Sequence, residues 1–88
     1  MFLVNGVWEK MDINKELGVL LKKKREELGL SLSNVGAKMH KNKSTIYYYE
    51  NGRISIDVLT LDRLCHVYGT DMYSLFDELK ELSNGTKI

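Results

Sequence analysis

The sequence predicts an all-α domain of five short helices, and three observations carry that expectation. Strand-like alternation of apolar and polar side chains is absent from Asp12 onward, while apolar residues recur at spacings of three and four. Breaks fall at Gly29, His40, Gly52 and Gly69, and each is followed by a short polar side chain suited to cap a new helix. The 88 residues, 43% apolar and without proline, repeat or low-complexity tract, are enough for one core and no second domain.

The first helix is expected from about Asn14 to Leu28, with Leu17, Leu21 and Leu28 on its inward side and Gly29 as its stop. Ser31 caps a second, Leu32 to Met39, in which Leu32, Val35 and Met39 face the core. Asn42 caps a third, about Lys43 to Asn51, with Gly52 beyond its end. Asp57 caps a fourth, reaching about Tyr68, whose apolar face is Val58, Leu61, Leu64, Cys65 and Tyr68. Asp71 caps a fifth that carries Met72, Leu75, Phe76, Leu79 and Leu82. These helices make residues 14–82 the domain. Residues 1–13 form an N-terminal extension whose Phe2, Leu3, Val4, Val7 and Trp8 suit an arm or short strand packed on this domain or on a partner chain; alternatively, the natural start is Met11. Residues 83–88, SNGTKI, are expected to fray.

Composition narrows the functions. No apolar run approaches the roughly 20 residues of a bilayer span, and the opening MFLVNGV lacks the length and basic flank of a secretory signal. The expected location is the cytoplasm, with no membrane partner. One cysteine, Cys65, allows neither an internal disulfide nor a cysteine-based zinc site and reads as a small core residue. His40 and His66 are too isolated for a metal site. No serine, histidine and acid arrangement or glycine-rich phosphate loop is present, so neither an enzyme nor a cofactor, metal or small-molecule ligand is indicated. The net charge is only +1 but unevenly placed: Asp12 to Arg53 holds nine Lys or Arg against five acids, and Ile54 onward three against six. The basic excess hints that the first half meets a polyanion.

The link between the second and third helices is more informative. Only His40 and Lys41 separate Met39 from the cap at Asn42, which forces a sharp mutual angle, the shape of a helix-turn-helix. Gly36, opposite the turn, lets the two helices approach, and Val35 can meet Ile46 across the angle. At 100 degrees per residue, Ile46, Tyr49 and Glu50 share the inward side of the third helix, so Tyr49 is core. Lys43, Ser44, Tyr47 and Tyr48 share the other side. That face is basic, then hydroxylated, then aromatic, and begins at the positive end of the helix dipole. It suits base edges and phosphates. Packing of Tyr47 and Tyr48 under a loop or a dimer partner is the alternative, and their position beside Lys43 and Ser44 favours DNA.

Together these stretches, LG followed by KKKREELGLS (17–31), VGAKM (35–39), NKSTIYYYENGR (42–53) and ISIDVLTLDRLCHVYGTDMYSLF (54–76), resemble the phage repressor and Cro type of helix-turn-helix regulator, the xenobiotic-response-element (XRE) family. The resemblance implies a compact five-helix repressor-like DNA-binding domain whose third helix enters the major groove, usually as a two-fold homodimer on a near-palindromic double-stranded operator. It places base reading at Lys43, Ser44 and Tyr48, flanked by Thr45 and Tyr47. Phosphate contacts fall at Ser31, the backbone of Leu32, Asn42, Asn51, Arg53 and Ser55. Arg25 and Glu50 match a family ion pair that ties the first helix to the third. Two positions depart from the pattern: Leu32 stands where a phosphate-binding glutamine is common, and His40 where glycine is. Leu75, Leu79 and Leu82 form a stripe that could add to a dimer interface. The function expected is a transcriptional regulator, a repressor of a phage, prophage or mobile-element promoter, associated with the nucleoid of a bacterial or phage-infected cell. The rival is an antitoxin-like or antirepressor-like adaptor that uses the same fold to hold another protein.

Overall fold

A computed structural model describes the backbone of residues 12–87 and the side chains of residues 12–82. Among these residues the chain forms five helices and no strand: α1 (Ile13–Glu27), α2 (Leu32–Met39), α3 (Lys43–Glu50), α4 (Val58–Val67) and α5 (Met72–Lys87). The proposed N-terminal arm, with Phe2, Leu3, Val4, Val7 and Trp8, and the alternative start at Met11 lie outside the described residues.

Short polar side chains start four of the helices. Asp12 accepts a hydrogen bond from the Lys15 amide at 3.1 Å, Asp57 from Thr60 at 2.8 Å and Asp71 from Ser74 at 2.8 Å. Ser31 accepts from the Asn34 amide at 3.0 Å while the Asn34 side chain accepts from the Ser31 amide at 2.9 Å, a reciprocal capping box. Asn42 is the exception: its backbone leads into α3, but its side chain makes no cap hydrogen bond.

Four helix ends share one device. After α1, the amides of Gly29 and Leu30 donate to the carbonyls of Glu26 and Arg25; after α2, those of His40 and Lys41 donate to Ala37 and Gly36. The same pair of bonds closes α3 at Gly52 and Arg53 and closes α4 at Gly69 and Thr70. The first residue of each pair must be left-handed for this geometry, and φ is +69° at Gly29, 55° at His40, +70° at Gly52 and +71° at Gly69. The breaks read from the sequence are therefore conformational stops. The helix α5 runs to Lys87, the last residue whose backbone is described, where the sequence reading expected a frayed tail from residue 83. Extending a helix already held by its core face fixes one residue per added bond, which favours continuation.

One core unites the helices: Leu17, Leu20 and Leu21 from α1, Val35 and Met39 from α2, Ile46 and Tyr49 from α3, Leu61, Leu64 and Cys65 from α4, Tyr68, and Leu75 and Leu79 from α5. Each fully buried leucine contributes about 1.5–3 kcal/mol of transfer free energy. Four side chains expected on apolar faces are exposed instead, Leu82 near the end of α5 among them. Of the others, Leu28 caps the end of α1, Val58 opens α4 and Phe76 lies off the buried line of α5, so none reaches the interior. Leu20, three residues after Leu17, takes the place foreseen for Leu28. A further correction concerns the leucine stripe. Leu75 and Leu79 are 0% and 1% exposed within a single chain, so their apolar surface is already covered and is not open to a dimer partner, whereas Leu82, the third member of the stripe, is exposed.

Candidate nucleic-acid interface

The geometry of α3 is set by close backbone packing on two sides. A Cβ placed on Gly36 would come within 2.7 Å of the Lys41 carbonyl oxygen, so the turn between α2 and α3 closes this tightly over a residue without a side chain. A Cβ placed on Gly18 of α1 would come within 2.6 Å of the Tyr49 carbonyl oxygen and closer still to that of Glu50. Helix α1 thus rests directly on the C-terminal backbone of α3. Sequence reading singled out Gly36 and missed Gly18. The available signal was a glycine inside an otherwise strong helical pattern, where it is about 1 kcal/mol worse than alanine unless packing requires it.

An ion pair locks the same junction. Arg25 Nε donates to Glu50 Oε2 at 2.7 Å and Arg25 Nη2 to Glu50 Oε1 at 3.0 Å, a bidentate pair, while Nη1 donates to the Leu30 carbonyl at 2.9 Å. The Glu50 side chain is only 4% exposed, so its charge is compensated by these bonds and not by water. The hydrogen bond with Glu50 holds the guanidinium pKa above its ordinary value. Nearby, burial pushes the Tyr68 phenol well above its usual range, and the Glu50 charge pushes it further in the same direction.

From this seat α3 presents two faces. Ile46, Tyr49 and Glu50 are buried, whereas Lys43, Ser44, Tyr47 and Tyr48 are exposed and Thr45 is half-buried at the border. The Tyr47 and Tyr48 rings lie 5.9 Å apart at 58°, a tilted aromatic pair. The Arg53 guanidinium carbon sits 5.9 Å from the centroid of the Tyr48 ring. The Asn51 side-chain amide donates to the Tyr47 carbonyl at 2.8 Å and so helps close the helix.

The remaining candidate residues surround this face in different ways. Ser31 and Asn42 stand exposed at the starts of α2 and α3, where unpaired amides and the helix dipole favour an anion. The Ser31 hydroxyl oxygen already accepts from Asn34, leaving its proton for donation. Leu32 packs its side chain against the core, so only its backbone could contribute. Asn51, Arg53 and Ser55 are exposed in the segment after α3, and Ser55 accepts a hydrogen bond from Asn14 Nδ2 at 3.3 Å. His40 carries the left-handed turn without glycine, a modest strain that histidine tolerates better than most residues. Among the described residues no three His, Cys, Asp or Glu side chains gather as a metal site, and no helix is long and apolar enough to cross a membrane.

A short helix set at a sharp angle behind its neighbour, buttressed from within and open outside, defines a helix-turn-helix domain. A family model for the helix-turn-helix matches residues 21–75. The chain belongs to that family, the XRE type of DNA-binding helix-turn-helix. Among solved structures it is similar to the clp gene regulator ClgR from Corynebacterium glutamicum, with a TM-score of 0.78 at 19% identity, covering 84% of this chain and 79% of that one. A second crystal structure of ClgR gives a TM-score of 0.73 at 20% identity over 77% and 87% of the two chains. Apo-HppE gives 0.66 at 25% identity over 70% of this chain, which spans only 35% of the HppE chain. At these identities the ClgR likeness is one of fold. No curated protein matches the chain in sequence.

Proposed function

We propose that the protein is a sequence-specific double-stranded DNA-binding transcriptional regulator, a repressor of a phage, prophage or other mobile-element promoter. The observation that carries this reading is the outward face of α3, where Lys43, Ser44, Tyr47 and Tyr48 are exposed on a helix whose opposite face is locked into the core. In the proposed mechanism α3 lies in the major groove. The Lys43 ammonium donates to guanine O6 and N7, the Ser44 hydroxyl serves a neighbouring base, and the Tyr48 ring meets a base edge. Ser31, the Leu32 amide, Asn42, Asn51, Arg53 and Ser55 hold phosphates and fix the register without reading sequence. Occupation of the operator then excludes polymerase.

A two-fold homodimer on a near-palindromic operator would place its two α3 helices about 34 Å apart. With Leu75 and Leu79 inside the core, the surface we favour for the second copy is the exposed apolar set Ile54, Val58 and Leu59, which follows α3 directly in the chain. Sedimentation of the intact chain should give a dimer that Leu59→Asp converts to monomer.

The test of DNA binding is the retention of duplex DNA across a salt series. Each phosphate neutralised contributes about 0.9 to the slope of log K against log salt, so retention should collapse steeply between low and moderate salt. Flat, weak retention at every salt would favour the adaptor reading, in which the same fold holds a protein.

A further inference from the structure

The segment YYYENGR, residues 47–53, brings Arg53, which the sequence reading had set apart as a phosphate contact, back to the two outward tyrosines. Gly52 adopts φ +70°, and this turn lets the Arg53 amide donate back to the Tyr48 carbonyl at 3.0 Å. The chain therefore reverses, and the Arg53 side chain returns over the Tyr48 ring, 5.9 Å from its centroid. That is within the roughly 6 Å at which a guanidinium is attracted to an aromatic face. Tyr47 meets the same ring at 5.9 Å. Tyr48 is thus exposed yet held by two neighbours, whereas an unsupported tyrosine on a helix surface would exchange rotamers in picoseconds to nanoseconds.

We infer that Arg53 is a positioning residue for Tyr48, and that the ring so held reads the C5 methyl group of a thymine in the major groove. The inference rests on the DNA-binding reading above. Its chemistry follows from what the groove offers. Base edges there present hydrogen-bond donors and acceptors, and the thymine methyl is the one apolar group among them. Tyr48 lies one helical turn beyond Ser44 on the same face of α3, so its ring enters the groove alongside a polar reader. A flat apolar surface fixed before binding loses little freedom when it docks. The N–H edge of Arg53 remains able to reach a phosphate, so loss of overall affinity cannot separate a positioning role from a phosphate contact. Dependence on the methyl can.

The experiment uses the full chain. A preferred duplex is first selected from a random pool, and each thymine in it is then replaced singly by deoxyuridine, which removes only the methyl. One thymine per recognition helix should show a penalty of about fourfold in affinity, the value expected for burial of one methyl. Tyr48→Phe, whatever its overall affinity, should retain that penalty, because the contact does not involve the hydroxyl. Arg53→Ala should reduce the penalty toward one, and Tyr48→Ala should abolish it, with no further change when Arg53→Ala is added. A penalty that survives unchanged in Arg53→Ala, with the salt slope lowered by about 0.9, would make Arg53 an ordinary phosphate contact and overturn the inference. So would a selected duplex in which no thymine methyl matters. Failure to enrich any duplex is a different result, since it removes the DNA-binding reading itself.

Discussion

Glu50, on the inward side of α3, is 6% exposed and holds Arg25 at two points, while Tyr47 and Tyr48 on the other side of the same short helix are 49% and 39% exposed. The inward residues are constrained by every neighbour they touch: the α1 backbone at Gly18, the guanidinium of Arg25 and the leucines of the core. The outward ones are constrained by little beyond each other and Arg53. Stability and recognition are therefore carried by residues that alternate along one helix, and substitutions should separate them cleanly.

The largest effect is expected on the inward side. Glu50→Ala leaves the Arg25 guanidinium buried without its partner and should lower unfolding free energy by about 3–5 kcal/mol, read as the midpoint of urea denaturation. Next is Gly18→Ala, whose new methyl would meet the carbonyls of Tyr49 and Glu50. It should destabilise by about 1–3 kcal/mol and, by shifting α3, weaken DNA binding as well. Lys43→Ala breaks the comparison in the opposite direction. It should weaken specific binding by about 1–3 kcal/mol and relax preference at one base pair while leaving the thermal midpoint in place. Unchanged discrimination with Lys43→Ala would remove that residue from the reading face. Ser31→Ala lies across the divide, since it loses the α2 cap, at about 1 kcal/mol, along with a phosphate donor.

The mildest effect is one of pH. Burial raises the Tyr68 pKa in the folded protein above its unfolded value near 10. The unfolded chain therefore loses this proton first as pH rises, and the contribution of the neutral phenol to stability is full below about pH 10 and declines above it. Chemical denaturation at pH 9 and about pH 11 should show the decline, and Tyr68→Phe should reduce it.

The helix ends were legible because left-handed stops and N-caps are local chemistry, written in Ser31, Gly29, Gly52, Asp57 and Asp71. The inward register of Ile46, Tyr49 and Glu50 was legible because a helix repeats every 3.6 residues. What the sequence could not convey was which apolar residues at helix ends reach the interior. Leu28 and Val58 have the right periodicity but sit where the helices leave the core, and Leu75 and Leu79 look like an open stripe until α1 and α4 are packed against them. The packing of Gly18 on α3 and the Arg53 guanidinium over Tyr48 depend on distances between segments, which spacing along a chain does not encode. Asn42 shows the converse, a capping residue at the right place whose side chain leaves the amides of α3 unoccupied by a cap.

The contact at Gly18 has a consequence for how such a domain can change its target. Because α1 touches α3 through main-chain atoms, the seating of α3 does not depend on the identities of residues 43, 44, 47 and 48. Those four positions behave like the bit of a key mounted on a fixed shank. They can be recut for a new lock while the handle stays as it was.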